Sequence, residues 1–519
     1  MKNLALLVIQ LIVGWITVDS YAQSQRTTAE SVTNAMRRAT QYMVDSVSTN
    51  GAYARLYTAD LSRRWHELEA YKSQVRIEEP GTLGMGNLYL DAYHITGDEY
   101  YYQAAVKVAE ALVWGQMDCG GWHYFIDFAG DRSLKAWYRT IGKHAWGFEE
   151  HYYYRGNATF DDEVTSGAAR FLLRMYLEKL DPAFKPALDK AIAFILESQY
   201  PLGGWPQRYP LKDDYTSHYT FNDNVIAGNL EFLIDCYATL GGERFLDPIR
   251  RAMNFYLLTQ QGDPQPGWAQ QYDGKLQPAS ARNYEPAAIV TGQTYDNIRM
   301  LMKFYRYTGD RRFLTRIPDA IAWLEQVRLP DSLTNGGKRT HPFFVEIGTN
   351  RPLWAHRSGS GVYDGKYWVD YNTDDLYGYG DNTVIGVNYL KDEYNALLAL
   401  PIDQVTQDSP LKIGQVPLKD TGKHYFAKKA PAPNGKVDEA TIREIIKGLD
   451  SQGRWLSKHE WISDPYTVDA ASGQGSNTAM HSDPVSAEWI LDPSDSDYIS
   501  VAVYIKNMRS LLAYLASRK

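Results

Sequence analysis

Cysteine is almost absent from this 519-residue sequence, which has only Cys119 and Cys236. None of the cysteine spacings typical of metal sites occurs. An exported protein could form a disulfide, but two cysteines alone do not predict one. We therefore expect both side chains to be free and packed.

Motifs of several common enzyme classes are also missing. There is no P-loop, no dinucleotide fingerprint in a strand–helix context, and no nucleophile elbow. Four histidines lack the spacing of metal ligands, and we expect them to be structural or surface groups. They are His144, His218, His341 and His356.

Positive charge is in short supply. Lys and Arg total 54 against 62 Asp and Glu, which gives a formal net charge of -8. Nucleic acid requires a basic surface, so this balance argues against a nucleic-acid partner. An acidic polymer could bind only through local arginines or through a cation.

A long apolar run occurs only at the N-terminus. Lys2 precedes a run from Leu4 to Val18, and Ser20-Tyr21-Ala22 follows it. This pattern predicts a signal peptide over residues 1–22. The alternative is an uncleaved anchor helix, but the run is short for a membrane span and contains Gly14. We expect a secreted or periplasmic protein without membrane association once the signal is removed.

Aromatic residues, by contrast, are abundant: they make up 13% of the chain, with 39 Tyr and 14 Trp. Most such rings pack between helices. The stretch from Gln199 to Asn224 instead places them in a Gly- and Pro-rich loop before a polar helix start. Ring faces, polar groups and a carboxylate in one segment are typical of a carbohydrate site. Its candidate substrate-binding residues are Trp205, Gln207, Tyr209 and Asn222.

A helical repeat runs through the chain. In four units a tyrosine is followed eight residues later by another aromatic residue, and a helix ends fifteen residues beyond it. The tyrosines are Tyr93, Tyr176, Tyr237 and Tyr305, and the helix ends are Gln116, Gln199, Gln260 and Arg328. The loops CGGWHYF, LGGWPQRY and QPGWAQQY separate the units. Each unit therefore reads as a helix hairpin that ends in a Gly-Trp loop.

Hairpins of this kind must stack side by side to bury their apolar faces, in an open solenoid or a closed ring. We predict a mainly α fold, an incomplete α/α toroid of repeated helix hairpins with Gly/Trp-rich loops and short strands around the cleft. Residues 335–381 have the composition of strands and loops laid over the helices. Residues 23–519 are predicted to form one catalytic domain, with 410–519 as a candidate C-terminal extension, and we expect a monomer.

Carboxylates recur at the helix starts beside the Trp loops. They are Asp161, Asp162 and Glu163, then Asp223, then Glu285. Helix capping explains one such residue and contributes roughly 0.5–2 kcal/mol. The pair Asp161-Asp162 exceeds what one cap needs, and clustered carboxylates suit Ca²⁺. The same groups could serve as the acid and base of a glycosidase, and the sequence alone does not separate these readings.

Arginines form a second group of candidates: Arg282, Arg339, Arg351 and Arg357. A guanidinium binds a carboxylate bidentately, so these residues suit an acidic sugar as substrate. The alternative for each is a surface ion pair or a packing role.

Several segments around these residues resemble the family 10 polysaccharide lyases, which are pectate lyases. The resemblance spans roughly residues 155–360. It rests on ATFDDEVTSGAARFL, GGWPQRYP with YTFNDN, PGWAQQYD, ARNYEPAA and FFVEIGTNRPLWAHRSG. The family fold is an incomplete α/α toroid, which agrees with the repeat found by counting.

The resemblance implies β-elimination on polygalacturonate, assisted by Ca²⁺. It places calcium-binding, catalytically important carboxylates at Asp161 and Asp223, and Asp162 is a further metal candidate because either neighbour could face the ion. It assigns the catalytic base to Arg357. Three more residues are expected at the substrate cleft: Trp268, Arg282 and Arg351.

The sequence departs from the family pattern at several positions. Asp162 stands where the family has Asn, Asn224 replaces a second Asp, and Ser358 replaces the Asp after the catalytic Arg. Two alternatives therefore stay open. One is an α/α-toroid glycoside hydrolase that uses two carboxylates, such as Asp162 and Glu285, and the other is a non-catalytic protein that binds acidic glycans.

Overall fold

The structure is a computed structural model. It describes residues 29–66, 68–141, 156–282, 284–334, 336–358, 366–374, 382–413, 425–426, 438–463, 468–469, 474–475, 489–492 and 494–518. The predicted signal peptide and His144 lie outside these ranges. Within the described residues, no helix combines the length and the apolar character that a membrane span requires.

The chain divides into two compact units. The smaller unit contains residues 1–111, 429–461 and 491–519, and the larger contains residues 112–428 and 462–490. Much of the C-terminal region therefore belongs to the same unit as the N-terminal residues.

Helices are the main elements. They are α1 at 29–42, α2 Thr82–Thr96, α3 Glu99–Gly115, α4 Asp131–Thr140, α5 Val164–Lys179, α6 Lys185–Glu197, α7 Val225–Leu240, α8 Leu246–Thr259, α9 Thr291–Thr308, α10 Ile317–Gln326, α11 Val387–Ala399, α12 Ile402–Val405, α13 Pro410–Ile413, α14 Glu439–Lys447 and α15 Val501–Ala516. A π-helical turn, Met43–Val47, extends α1.

In the larger unit the helices pack as consecutive hairpins. Helix α5 packs against α6 and α7, α7 packs against α8, and α9 packs against α8 and α10. Apolar residues line these contacts, including Phe171 and Leu172 of α5 and Leu230 and Leu233 of α7, all of which are buried. The mainly α class with repeated helix hairpins, the building blocks of an α/α toroid, is confirmed.

A glutamine at the end of a hairpin's second helix ties it to the next hairpin. Its side-chain amide donates to one carbonyl of its own loop and to one at the next second helix. The acceptors are Gly120 and Ala187 for Gln116 (2.8 and 2.9 Å), Gly203 and Pro248 for Gln199 (2.9 and 3.0 Å), and Pro266 and Arg316 for Gln260 (3.0 and 3.1 Å). The counted repeat thus marks structurally equivalent positions. Arg328 differs, because its guanidinium lies 3.5 Å from the Asp331 carboxylate.

The Gly-Trp loops follow the same plan. Each tryptophan is fully buried, and its indole N–H donates to a carbonyl of the preceding helix. The pairs are Trp122–Leu112 (2.8 Å), Trp205–Ile195 (2.8 Å) and Trp268–Tyr256 (2.9 Å). Gly203 has φ 113° and its backbone approaches Arg251 so closely that a Cβ would lie 2.2 Å from the Arg251 carbonyl oxygen. Only glycine fits there.

Short strands connect the hairpins at one end. In the larger unit β6 Ala158–Thr159 pairs with β7 Arg208–Tyr209, and β8 Tyr219–Thr220 pairs with β9 Gln271–Tyr272, both antiparallel. A four-stranded antiparallel sheet follows, in the order β10 Ala288–Val290, β11 Phe344–Glu346, β12 Pro352–Ser358 and β13 Lys366–Asp370. The strands expected within residues 335–381 are therefore present.

The smaller unit contains a five-stranded sheet formed by both ends of the chain. Its strands, in spatial order, are β14 Leu456–Ser457, β19 Tyr498–Ser500, β1 Leu56–Thr58, β2 Arg64–Trp65 and β3 Glu69–Ala70. The other strands in the described part of the chain are β4 Gln74–Arg76, β5 Phe125–Asp127, β15 Trp461–Ser463, β16 Val468–Asp469, β17 Gln474–Gly475 and β18 Trp489–Leu491. Helices α15 and α2 pack together.

A further Gly-x-Trp loop follows α14 in this unit. The indole of Trp455 donates to the Ile445 carbonyl at 2.8 Å, and a Cβ on Gly453 would lie 2.7 Å from the Arg38 carbonyl oxygen. The repeat counted in the sequence ends at Arg328, so it did not predict this loop.

The two cysteines are both free, as expected, but differ in burial. Cys236 is buried in α7, whereas Cys119 is exposed, so the expectation that both are packed was wrong for Cys119. It lies at the start of the Gly-Trp loop that contains Trp122, just before the chain becomes buried at Gly120.

Candidate active site

Two helix starts in the larger unit share one unusual backbone. Asp161–Glu163 leads into α5 and Asn222–Asn224 leads into α7, each as a single 3₁₀ turn. The last two residues of each turn are left-handed, with φ 52° and 57° in the first turn and 52° and 58° in the second. Such φ values cost roughly 1–3 kcal/mol for residues other than glycine, so the surroundings must hold them.

Backbone hydrogen bonds from the Trp loops hold both turns. The amide of Thr159 donates to the Trp122 carbonyl at 2.8 Å, and the amide of Phe160 donates to the Gln207 carbonyl at 2.9 Å. The second turn repeats the pair, from Thr220 to Trp205 at 3.1 Å and from Phe221 to Gln270 at 2.8 Å. Asp161 and Asn222 therefore occupy equivalent positions, and so do Asp162 and Asp223.

Asp161 is buried and held by three donors. Tyr124 Oη donates to its Oδ2, Arg282 Nη2 lies 3.0 Å from the same oxygen, and Gln207 Nε2 donates to Oδ1 at 3.1 Å. Burial by itself raises the pKa of Asp161. The charge of Arg282 and a hydrogen bond with Asp223 more than offset it, and the pKa falls to about 2. Asp161 is therefore an ionised, fixed carboxylate.

Asp223 is more accessible, with 27% of its side chain exposed. Asn222 Nδ2 donates to its Oδ2 at 2.8 Å, and Arg282 Nη1 lies 3.7 Å away. Burial and the negative charge of Asp161 raise the pKa of Asp223 well above its usual range. Of the two carboxyl groups, Asp223 is therefore the one that holds a proton more readily.

Arg282 links the helix starts to the following loop. Its guanidinium contacts Asp161 and Asp223, and Nη1 lies 3.2 Å from Glu285 Oε1. The Arg282 amide also donates to Glu285 Oε2 at 3.0 Å, and the Glu285 amide returns a bond to the Arg282 carbonyl at 2.8 Å. Arg282 is thus a fixed cation within a cluster of three acids.

The donor set has the chemistry of a hard-cation site, although no group of three or more His, Cys, Asp or Glu side chains with metal-holding geometry occurs among the described residues. The negative charge of Asp161 helps to raise the pKa of Asp223, so a cation bound to both carboxyl groups would favour their ionisation. Carboxylate oxygens at such a point are ligands that Ca²⁺ accepts. The exposed Asp162 acts on Asp223 through its charge.

Several predicted site residues do assemble here. Asp161, Asp223, Gln207, Asn222 and Arg282 form one connected cluster. Asp162, which shares the turn, is also close to Asp223. The sequence left open which of Asp161 and Asp162 faces the site. In the structure Asp161 points inward to its donors, and Asp162 is exposed.

Two predicted sugar-stacking residues do not reach the surface. Trp205 and Trp268 are fully buried, and their indole nitrogens bond to helix carbonyls. The expectation that they contact substrate was wrong, because each anchors its loop to the preceding helix. A ring with no exposed face cannot stack on a sugar.

The remaining candidates lie away from the acidic cluster or on its edge. Tyr209 is half-buried on β7, with its ring 5.5 Å from that of Phe194. Arg351 is exposed and covers the ring of Tyr371 at 3.6 Å. Among the arginines considered earlier, Arg339 lies in a turn after α10 and its side chain is exposed.

Arg357 lies on β12, opposite Tyr367 of β13, and its side chain is outside the described part of the structure. Two positions earlier on the strand, Ala355 lies in one hydrophobic cluster with Tyr284. Tyr284 is in the loop that contains Arg282 and Glu285, so β12 passes close to this loop.

Sequence reasoning missed two site residues, Tyr124 and Arg208. Tyr124 donates to Asp161, and Arg208 Nη2 donates to Tyr124 Oη at 2.8 Å. They stand two and three residues after the tryptophans of their loops, and Gln207 stands two residues after Trp205. The signal was present in the repeat: Tyr124, Gln207 and Gln271, which follow the three loop tryptophans by two or three residues, each contact a helix start.

The geometry bears directly on the hydrolase alternative. Glu285 is buried and both of its oxygens accept from Arg282. A general acid or base of a glycosidase must reach the glycosidic oxygen or a water. Glu285 is committed to an ion pair instead, and nothing in its contacts favours a pair with Asp162.

The sequence was then compared with known proteins. Residues 143–382 match the model of the family described as pectic acid lyase. This segment contains Asp161, Asp223, Arg282 and Glu285, whereas Tyr124 lies before it. No curated protein matches the sequence.

Solved structures give weaker likenesses. A mutant of family 10 polysaccharide lyase from Cellvibrio cellulosa, in complex with trigalacturonic acid, is 20% identical with a TM-score of 0.42, covering 61% of this chain and 97% of its own. The GH76A alpha-1,6-mannanase from Salegentibacter sp. HEL1_6 is 14% identical with a TM-score of 0.37, covering 94% and 98%. At these scores the functional argument rests on the family match.

Proposed function

We propose that this chain is a pectate lyase that cleaves polygalacturonate by β-elimination with the help of Ca²⁺, because residues 143–382 match the pectic acid lyase family. The observation that carries the proposal is the site inside the matched segment. There the carboxyl groups of Asp161 and Asp223 both contact Arg282, at 3.0 and 3.7 Å.

The substrate class follows from the same site. Polygalacturonate carries a carboxylate on each sugar, and a site for it needs positive charge in an otherwise acidic protein. Arg282 is the fixed cation of the cluster. The match to the pectic acid lyase family supports this choice.

Asp161 and Asp223 would hold the ion, with Asp162 as a further candidate. When bound there, Ca²⁺ withdraws charge from the substrate carboxylate and makes the C5 proton more acidic. Asp161 is pre-oriented by its three donors, and the more exposed Asp223 faces incoming ligands. Arg282 partly neutralises the negative charge of the cluster, so the anionic substrate is repelled less as it approaches.

Arg357 is proposed as the base, from the family resemblance. Arginine has a pKa above about 12, so a neutral guanidinium is rare at ordinary pH. The reaction should therefore be favoured by alkaline pH. Elimination removes the C5 proton and breaks the C4–O4 bond, which leaves an unsaturated sugar on one product and a hydroxyl on the other.

The protein is proposed to act outside the cytoplasm after loss of residues 1–22. This follows from the apolar N-terminal run and from the nature of a cell-wall substrate.

The test is absorbance at the band of the unsaturated product, with polygalacturonate at alkaline pH, first with added Ca²⁺ and then with a chelator. A rise in absorbance that the chelator abolishes is the expected result. New reducing ends without absorbance would show hydrolysis instead. Binding of oligogalacturonate without either product would identify a non-catalytic glycan-binding protein.

A further inference from the structure

Behind Asp161 lies a buried chain of two side chains. Arg208 has no exposed surface, and Tyr124 is 3% exposed. Arg208 Nη2 donates to Tyr124 Oη at 2.8 Å, the guanidinium carbon lies 4.9 Å from the centre of the tyrosine ring, and Tyr124 Oη donates to Asp161 Oδ2.

The direction of this chain is fixed by chemistry. Arginine has donors and no acceptor, so the Tyr124 oxygen must accept from Arg208. The single hydroxyl proton of Tyr124 is then directed to Asp161. A phenol that could otherwise rotate between partners is locked as a donor to one carboxylate oxygen.

The donors to Asp161 come from three separate segments. Tyr124 and Gln207 follow two different Trp loops, and Arg282 lies in the loop before β10. Two of them share Oδ2 and the third binds Oδ1, so rotation of the carboxylate is restrained from both sides.

Asp223 has a different support. Its side-chain donor is Asn222, a neutral amide, whose own Oδ1 lies 3.5 Å from Gln271 Nε2. Asp161 and Asp223 are therefore supported differently. Asp161 accepts from Tyr124, Gln207 and Arg282, whereas Asp223 accepts from the neutral amide of Asn222 and lies 3.7 Å from Arg282.

We propose that Tyr124 and Arg208 are positioning residues for the lyase reaction: acting through Asp161, they hold its carboxylate in the orientation needed to bind Ca²⁺. The inference rests on the proposed function. Both residues are too buried to contact substrate, so they are not catalytic residues. Partners of this kind typically change metal affinity or activity about 10–100-fold when they are mutated.

The central variant is Tyr124→Phe, which removes one hydroxyl and keeps the ring. Tyr272→Phe is the matched control, because Tyr272 is also buried after a Trp loop and its hydroxyl donates to the Thr259 carbonyl at 2.9 Å, away from the acids. We would measure Ca²⁺ affinity of the metal-free protein by calorimetry, kcat and KM on polygalacturonate, and the melting temperature.

Tyr124→Phe should weaken Ca²⁺ binding about 10-fold and lower kcat with little change in KM, whereas Tyr272→Phe should alter only the melting temperature. Arg208→Lys keeps a charge and a donor and should fall between wild type and Arg208→Met in Ca²⁺ affinity. Wild-type affinity and kcat in Tyr124→Phe would overturn the proposal.

The same experiment separates this inference from the proposed function. If the wild type neither binds Ca²⁺ nor forms an unsaturated product, the lyase proposal fails, and with it the role in calcium binding. If the wild type does both and Tyr124→Phe behaves like Tyr272→Phe, only the positioning role fails. A double-mutant cycle compares the melting temperatures of Tyr124→Phe, Asp161→Asn and the double variant with that of the wild type, and so measures the coupling between the two side chains. Additive shifts would show that Tyr124 does not act through Asp161.

Discussion

The two helix starts of the larger unit have the same backbone conformation but differ in the charge of their first residue. Asp161 and Asn222 occupy the same position, are both buried, and precede turns with nearly identical left-handed residues. Yet Asp161 is an ionised carboxylate that accepts from Arg282, whereas Asn222 is a neutral amide that donates to the neighbouring Asp223. The repeat thus gives both helix starts the same backbone conformation. Single side-chain differences make Asp161 a fixed, buried acid in the first start and Asp223 a more exposed acid in the second.

The comparison also separates two kinds of loop residue. The loop tryptophans have the same structural role in each copy, because the indole N–H donates to a carbonyl of the preceding helix. The residues that follow them and contact the helix starts are less constant: Tyr124 in the first loop, Gln207 in the second and Gln271 in the third. The structural positions of the repeat are constant, while the positions facing the site vary.

The largest effect is expected from Asp161→Asn, which makes the first helix start resemble the second. The change removes the charge of the buried carboxylate that lies 3.0 Å from Arg282 and accepts from Tyr124, and loss of one partner of a buried ion pair costs about 3–5 kcal/mol. Activity and Ca²⁺ affinity should fall at least about 100-fold, together with the melting temperature. Asp162→Asn, one residue along and exposed, is the control and should change the melting temperature little.

Asp223→Asn should also abolish activity, but with the opposite effect on stability. It removes the repulsion that raises the pKa of Asp223, so the metal-free protein should melt at the same temperature as wild type or higher. Thermal melting with and without Ca²⁺ measures this. A large drop in the melting temperature of the metal-free variant would show that Asp223 is needed for folding.

The same repulsion predicts a pH dependence without Ca²⁺. The pKa of Asp223 is raised on folding, so its contribution to stability is present below the unfolded pKa of about 4 and is lost as pH rises through the folded pKa. Asp161 has a lowered pKa, so its contribution is lost only as pH falls towards about 2. Urea unfolding of metal-free wild type should therefore show stability falling with rising pH above about 4. Asp223→Asn should flatten that slope.

Gly228→Ala tests whether the spacing of the two starts matters. Helices α5 and α7 approach closely there, and a Cβ on Gly228 would lie 2.6 Å from Ser166 Oγ and 3.2 Å from Glu163 Cγ. Overpacking of this kind costs about 1–3 kcal/mol, and we expect activity to fall several-fold as the turns separate. Gly292→Ala in α9 is the control, since no atom lies within 4 Å of its added Cβ. Equal activity in both variants would show that the spacing is tolerant.

The smallest catalytic effect is expected from Trp205→Phe. Trp205 is buried and bonded to Ile195, so the change should lower the melting temperature through a lost hydrogen bond and a cavity. KM for polygalacturonate should stay within about two-fold of wild type, since no ring face is available to a sugar. A large rise in KM without loss of stability would restore the substrate-binding role first predicted for this residue.

The sequence by itself determined the helical repeat, the Gly-Trp loops and the recurrence of acids at helix starts. These are local properties: apolar periodicity, glycine at positive φ and polar residues at helix starts are all written within a few residues of each other. Counting the repeat was enough to place Gln116, Gln199 and Gln260 at equivalent positions before any contact was known.

Only the tertiary structure decided which of these side chains meet. It turned Trp205 and Trp268 inward and brought Tyr124, Gln207 and Arg282 to one carboxylate across 158 positions of sequence, from 124 to 282. It also set the charge of each acid, because a pKa depends on burial and on neighbours that are distant in the chain. A sequence lists the ionisable groups, and the packing of the hairpins selects which of them is ionised.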